Sequence, residues 1–277
     1  MFDAVPPVPV MQRMQGAADV ALSLRGGRVR LDRLYQRGSA KAMLPSVHSA
    51  VPEVVFLNTA GGLTGGDRLA YALDVGAGAA AVATTQTAER VYASLGGASS
   101  GGQAEVSVTL SIGAGARLDW LPQETILFDH ASLARRTCVS MATDARLVMV
   151  ETVVLGRAAM GEVIRDLSFT DWREVRRGGA LALVEPLRLT PASLAASPAL
   201  LGGARAFASL WLVAQGAEDA LKPVRAALPE DVEAAASAWD GKCVVRLRAA
   251  DGWPLRRAIK QILGVMRGTD LPRTWQI

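Results

Sequence analysis

Between residues 105 and 112 the chain keeps a strict period of two. Val106, Val108, Leu110 and Ile112 alternate with Glu105, Ser107, Thr109 and Ser111. Successive side chains of a strand point to opposite faces, so the pattern gives an extended segment one apolar face and one polar face. A helix would scatter the same residues around its circumference. Leu69, Tyr71, Leu73 and Val75 repeat the pattern, and Leu118 and Trp120 alternate with Arg117 and Asp119. Leu147 to Leu155 is almost wholly apolar, which predicts a strand covered on both faces.

A weak repeat joins these strands. Val75-Gly-Ala-Gly-Ala-Ala-Ala-Val82, Ile112-Gly-Ala-Gly-Ala-Arg-Leu-Asp119 and Met141-Ala-Thr-Asp-Ala-Arg-Leu-Val148 each link a strand end to an Ala-led strand through a tight turn. Glycine or aspartate stands where positive φ is least costly. The repeats start 37 and 29 residues apart, too irregular for a simple solenoid but compatible with stacked strand-turn-strand layers. The expected architecture is a mostly β body over residues 1–189 and a smaller α+β portion over 205–277. Residues 190–204, rich in Pro, Ser, Gly and Ala, read as the linker.

Helices come late. Leu255, Ala258, Ile259, Ile262, Leu263 and Met266 keep amphipathic spacing, with Pro254 near the first turn and Gly268 beyond the end. Asp219 to Leu228 and Glu230 to Trp239 read as two shorter helices, and Lys242 to Arg248 as a strand. Ala199 to Ala217 is the nearest approach to a membrane span, but Arg205 and Gln215 interrupt it; a buried strand is expected instead.

Half of the 277 residues are apolar, enough for a sizeable core. The net charge is only +4, and Lys and Arg are scattered with no basic stripe interleaved with aromatics, so no nucleic-acid partner is expected. Cys138 and Cys243 lie far apart without CxxC spacing, which suits a reducing cytoplasm. The opening Met1-Phe-Asp-Ala-Val-Pro-Pro lacks the features of a signal peptide.

Gly76-Ala-Gly78 follows a strand as a dinucleotide fingerprint does, but Val82-Ala-Thr-Thr continues as β where that fingerprint needs a helix. Gly61-Gly-Leu-Thr-Gly-Gly-Asp67 lacks the Gly-Lys-Ser/Thr ending of a phosphate loop. No nucleophile elbow is present, and Glu124 with Asp129 is explained by loop capping as readily as by hydrolysis. The expected protein is not an enzyme. Its two histidines, His48 and His130, lack partners at metal-ligand spacing, and no tightly bound cofactor is expected. Carboxylates such as Asp67, Glu89, Glu124, Glu151 and Glu185 would give weak, exchangeable oxygen ligands. Glu151 stands inside the apolar run 147–155, where a carboxylate needs a pair or a ligand. A salt bridge and a polar passage are equally good readings of it, and Glu185 poses the same question.

The segments Asn58-Thr-Ala-Gly-Gly-Leu-Thr-Gly-Gly-Asp67, Thr84-Thr-Gln-Thr-Ala-Glu-Arg-Val-Tyr92, Leu121-Pro-Gln-Glu-Thr-Ile-Leu-Phe-Asp-His130, Glu151-Thr-Val-Val-Leu-Gly-Arg157 and Pro272-Arg-Thr-Trp275 carry a family resemblance. In order and spacing they resemble the UreD (UreH) urease accessory proteins. The resemblance implies a β-helix-like stack of strands with a few C-terminal helices. It also implies a chaperone scaffold that binds apo-urease and, through UreF, recruits the GTPase UreG, so that nickel reaches the urease active site. On that model nickel is in transit, and Asp67, Thr84, Glu151 and Glu185 match polar positions along an internal path. Arg256, Arg257 and Lys260 on the last helix, with Trp275 beyond it, suit a partner interface. The rival classes are a β-helical carbohydrate-active enzyme, against which the 5% aromatic content argues, and a metal-independent structural β-solenoid.

Overall fold

The computed structural model describes residues 12–46, 49, 51–95, 97–98, 102–194, 197 and 201–276. They are mostly β, as the alternation predicts, and the strands form two sheets. The chain enters through an antiparallel hairpin, β1 (Gln15–Arg25) and β2 (Arg28–Gly38), then passes to the second sheet with β3 (Ala40–Met43) and β4 (Glu53–Asn58). Strands now change sheet at nearly every step. β5 (Arg68–Val75), β8 (Ala104–Ile112), β11 (Ala131–Met141) and β13 (Leu167–Arg177) join the first sheet, each parallel to the one before. β6 (Ala80–Thr85), β9 (Arg117–Leu121) and β12 (Arg146–Leu155) alternate with them in the second, also parallel. Two short strands, β7 (Glu89–Val91) and β10 (Thr125–Leu127), form a side ladder on β12. β14 (Ala180–Leu189) then closes the first sheet as an antiparallel edge.

The repeated Gly-Ala-Gly-Ala segments are turns stacked on one another. Gly113 N–H donates to the Val75 carbonyl at 2.8 Å, and Ala142 N–H to the Ile112 carbonyl at 2.9 Å. At Gly113 a Cβ would lie 2.6 Å from the Ala77 nitrogen, so the stacking itself requires glycine there.

β15 (Ala206–Val213) pairs antiparallel with β12, so the C-terminal strands extend the second sheet across the segment expected as a linker. After a short helix α1 (Leu221–Ala226), β16 (Glu233–Trp239) and β17 (Lys242–Ala249) complete that sheet, and α2 (Gly252–Arg267) follows. Two helix expectations need correction. Helix between Asp219 and Leu228 shrinks to a 3-10 turn at Ala217–Ala220 followed by α1. Glu230 to Trp239 is not helical: Ala234, Ala235, Ala236 and Ala238 favour a helix, but the open edge of β17 supplies a full ladder and residues 233–239 take it.

Side chains from both sheets meet in one inner core, with Val20, Leu73, Leu110 and Phe169 on one side and Phe56, Leu118, Trp120 and Met149 on the other. The Phe56 ring lies 4.8 Å from Tyr71 and 5.9 Å from Trp120. A second core lies on the outer face of the second sheet, where Val148, Val150 and Leu210 pack against Leu255, Ile259 and Leu263 of α2. β12 is therefore buried on both faces, as its composition predicts. Asp251 caps α2, and Gly268 ends it at φ 67°. No described helix is long and apolar enough to cross a membrane.

Candidate functional site

Met149, Val153 and Leu155 of β12 belong to the inner core, and the period of two puts Glu151 on the same face. It is only 4% exposed. A carboxylate there is stable only when paired and hydrogen-bonded. Arg135, from β11 in the facing sheet, places Nη1 2.7 Å from Glu151 Oε2, and Trp120 Nε1 donates to Oε1 at 3.2 Å. Arg135 also grips Asp171, donating from Nε and Nη2 to its two oxygens at 3.0 and 2.7 Å. Strand register explains the fork, because β11 and β13 pair Arg135 with Asp171. A fourth contact runs from Arg135 Nη1 to Thr125 Oγ1 at 3.0 Å.

The chain of charge continues outward. Arg173 Nε lies 3.1 Å from Asp171 Oδ2, without the alignment of a hydrogen bond, and Nη1 lies 3.5 Å from Glu185 Oε2. Glu185 accepts from Ser209 Oγ at 3.0 Å, Trp211 Nε1 at 3.1 Å and Arg246 Nε at 2.7 Å. Three carboxylates (151, 171, 185) thus alternate with three guanidiniums (135, 173, 246). The Arg246 side chain, 66% exposed, ends the series in solvent. Glu185, Arg173 and Arg246 line a cavity of about 740 Å³ there, with Phe207, Ser209 and Leu247.

Electrostatics follow from burial. Desolvation opposes the charge on Arg135, but Asp171 and Glu151 outweigh it and raise its pKa, so the guanidinium stays protonated. Desolvation pushes the Glu151 carboxyl up, Arg135 pulls it down, and Asp171 pushes it up again; the net direction is upward. We take the pair as ionised, because Glu151 accepts at 2.7 Å from a cation that burial does not neutralise. A second carboxyl is perturbed nearby. The side ladder pairs Glu89 with Thr125, and Asn58 Nδ2 donates to Glu89 Oε1 at 3.2 Å. Burial lifts the Glu89 pKa to about 7, against the opposing pull of the Asn58 hydrogen bond and Arg90.

Of the four predicted path residues, the fold brings two, Glu151 and Glu185, into one network. Asp67 stands apart: its two oxygens accept from the backbone N–H groups of Met14 and Thr64, both at 2.8 Å, and tie a turn to the N-terminal segment. Thr84 is buried beside the C-terminal segment, its Oγ1 3.2 Å from Thr274 Oγ1. The expected partner residues are also divided. Trp275 is a core residue at 1% exposure, donating from Nε1 to the Leu121 carbonyl at 2.9 Å. Arg256 stacks over the Trp275 ring at 4.9 Å and donates to Gln123 Oε1 at 2.6 Å, pinning the tail. Arg257 is exposed and pairs with Asp231, and Lys260 is half-buried. His48 lies outside the described residues. His130 sits in a turn at φ 63°, its Nδ1 3.3 Å from Asp166 Oδ2.

Sequence reading passed over Arg135, Asp171 and Arg173. Their parity was available: Arg135 falls in step with Leu133 and Val139, and Asp171 and Arg173 with Phe169 and Val175, all inward-facing core positions. Charges at inward parity on neighbouring strands signal a buried network.

A family model for the UreD urease accessory protein matches residues 14–276. The chain is 58% identical over 274 residues to the urease accessory protein UreD of Cereibacter sphaeroides, spanning 98% of each chain. It is 54% identical over 271 residues to that of Dinoroseobacter shibae, spanning 97% of this chain and 94% of the relative. Over 269 residues it is 46% identical to that of Rhizobium leguminosarum bv. viciae, spanning 96% of each. A match that takes in both sheets, the buried charges and the final helix shows that this chain belongs to the UreD family of urease accessory proteins.

Proposed function

We propose that this chain is a non-catalytic scaffold for urease maturation. It binds apo-urease and, with UreF and through it the GTPase UreG, lets nickel enter the urease active site in a GTP-dependent step. The observation that carries the reading is the family match over residues 14–276. GTP hydrolysis is assigned to UreG, and nickel is cargo in transit here, not a resident cofactor. The work takes place in the cytoplasm.

Within this reading the body is a β-helix-like stack, supported by the regular change of sheet and the stacked turns. Its interior holds the alternating charges. Glu185 is the carboxylate we assign to transient contact with nickel, because it stands where the network meets the 740 Å³ cavity. Its partner Arg246 reaches in from an exposed position and can swing aside. Glu151 is assigned to holding the two sheets together, because its partner Arg135 is itself buried and losing that pair would leave an unpaired charge in the interior.

Metal analysis of urease tests the proposal. Urease made with UreF and UreG but without this chain should assemble and carry little nickel. Equal nickel content with and without the chain would contradict the scaffold role. Glu185→Gln keeps shape and hydrogen bonding while removing charge; it should leave the complex intact and lower the nickel delivered.

A further inference from the structure

The hairpin of β1 and β2 leaves a sheet edge that no other strand covers among the described residues. There β2 ends the first sheet and pairs only with β1, and all of its residues except Val29 are exposed. Alternate residues along this eleven-residue strand thus turn backbone N–H and C=O groups to an outer side with no ladder.

Register sorts its side chains onto two faces. Leu31, Leu34 and Gln36 stand opposite Leu22, Val20 and Ala18, which are core residues, so these three share the inward face with Val29. The facing sheet ends here in the four-residue β3. Leu31 and Leu34 consequently remain 46% and 41% exposed, and Leu24 of β1, opposite Val29, extends the apolar patch. The outward face carries Arg28, Arg30, Arg33 and Arg37, opposite Arg25, Ser23, Ala21 and Ala17. Arg33 is paired with Asp19, and the single acid of the strand, Asp32, with Arg25. Among the described residues Arg28, Arg30 and Arg37 have no ion-pair partner.

We propose that β2 is the docking edge for an extended segment of a partner protein in which acidic residues alternate with apolar ones. Such a segment adds as a strand, satisfying the outer row of backbone groups. Its apolar side chains cover Leu31 and Leu34, and its carboxylates meet the three unpaired guanidiniums across the sheet. A second copy of this chain is the wrong occupant, because β2 against β2 sets three unpaired arginines against three. Arginines alone could serve to guard an edge against pairing. Guarding, however, gives no reason for a row of leucines left uncovered on the same strand. The proposal adds a partner chemistry to the maturation role and is tested without urease or UreF, so either can fail alone.

The test titrates the full chain against a labelled synthetic peptide alternating Glu and Val, with fluorescence anisotropy as the readout. One control replaces Glu by Lys; another keeps Glu but is N-methylated at alternate residues, which blocks one edge of its backbone. At fixed moderate salt the Glu-Val peptide should bind at least about ten-fold more tightly than either control, and amide exchange over residues 29–37 should slow. Arg28→Glu/Arg30→Glu/Arg37→Glu should reverse the preference toward the Lys-Val peptide. Equal binding of the methylated peptide would show charge attraction without strand addition and overturn the proposal. Absence of binding, or a dimer of the chain that the triple substitution dissolves, would overturn it as well. If the triple variant does not fold, the three-peptide comparison on the unaltered chain still decides.

Discussion

Arg135 serves two carboxylates on two different strands, and that makes it the residue on which the junction of the sheets most depends. Removing one member of a buried ion pair leaves its partner charged and unpaired, which costs about 3–5 kcal/mol. Arg135→Met should therefore lower unfolding free energy in urea by about that much, since it strands Glu151 and Asp171 together. Glu151→Gln keeps an acceptor for Trp120 and should cost less, about 1–3 kcal/mol. A loss below about 1 kcal/mol for Arg135→Met would mean that water reaches the site and screens it. Glu89 makes a pH-dependent prediction. Its folded pKa of about 7 lies above the ordinary 4.5, so between those values the folded chain holds a proton that the unfolded chain has released. Stability from this group is present at low pH and is lost as pH rises through the window. Glu89→Gln should thus be nearly neutral at pH 5 and stabilising by roughly 2 kcal/mol at pH 8, allowing for its partial exposure. Equal effects at the two pH values would contradict this. Residue identities such as Glu151 were conspicuous in the sequence because they interrupt apolar runs. Their partners stand at inward parity, but which charges meet was not legible, because pairing runs between residues 16 to 36 apart in the chain.

At the scale of elements, periodicity was legible wherever burial is one-sided or complete. The buried positions of α2 are the six that its spacing predicts, Leu255, Ala258, Ile259, Ile262, Leu263 and Met266. β16 was illegible for a physical reason: alanine carries little strand preference of its own, and only the neighbouring β17 decides its conformation. The final segment shows the same dependence on context. Trp275 looked like a surface contact because it lies near the chain end among basic residues, yet Leu121 and Arg256 hold it inside. Trp275→Ala should cost about 3–5 kcal/mol, as for other large-to-small core changes. Removal of residues from Leu271 onward should cost at least as much. Thermal unfolding with circular dichroism checks both; an unchanged midpoint would show that the tail lies on the surface in solution.

Across the whole molecule, period two tells which face of a strand is buried but not which sheet the strand joins. That is why the mostly β composition could be read from the sequence while the alternation between two sheets could not. The same topology gives the scaffold its parts: two sheets enclose an apolar core crossed by one line of paired charges, α2 shields the outer face of one sheet, and the β2 edge stays open among the described residues. The central claim, a scaffold that acts only in a complex, is tested most directly by co-expressing the tagged chain with its cognate UreF and urease subunits and analysing what elutes with it. The account predicts that UreF and urease co-purify with the chain in a defined complex. Elution of the chain alone, while UreF and urease remain soluble in the same extract, would contradict it.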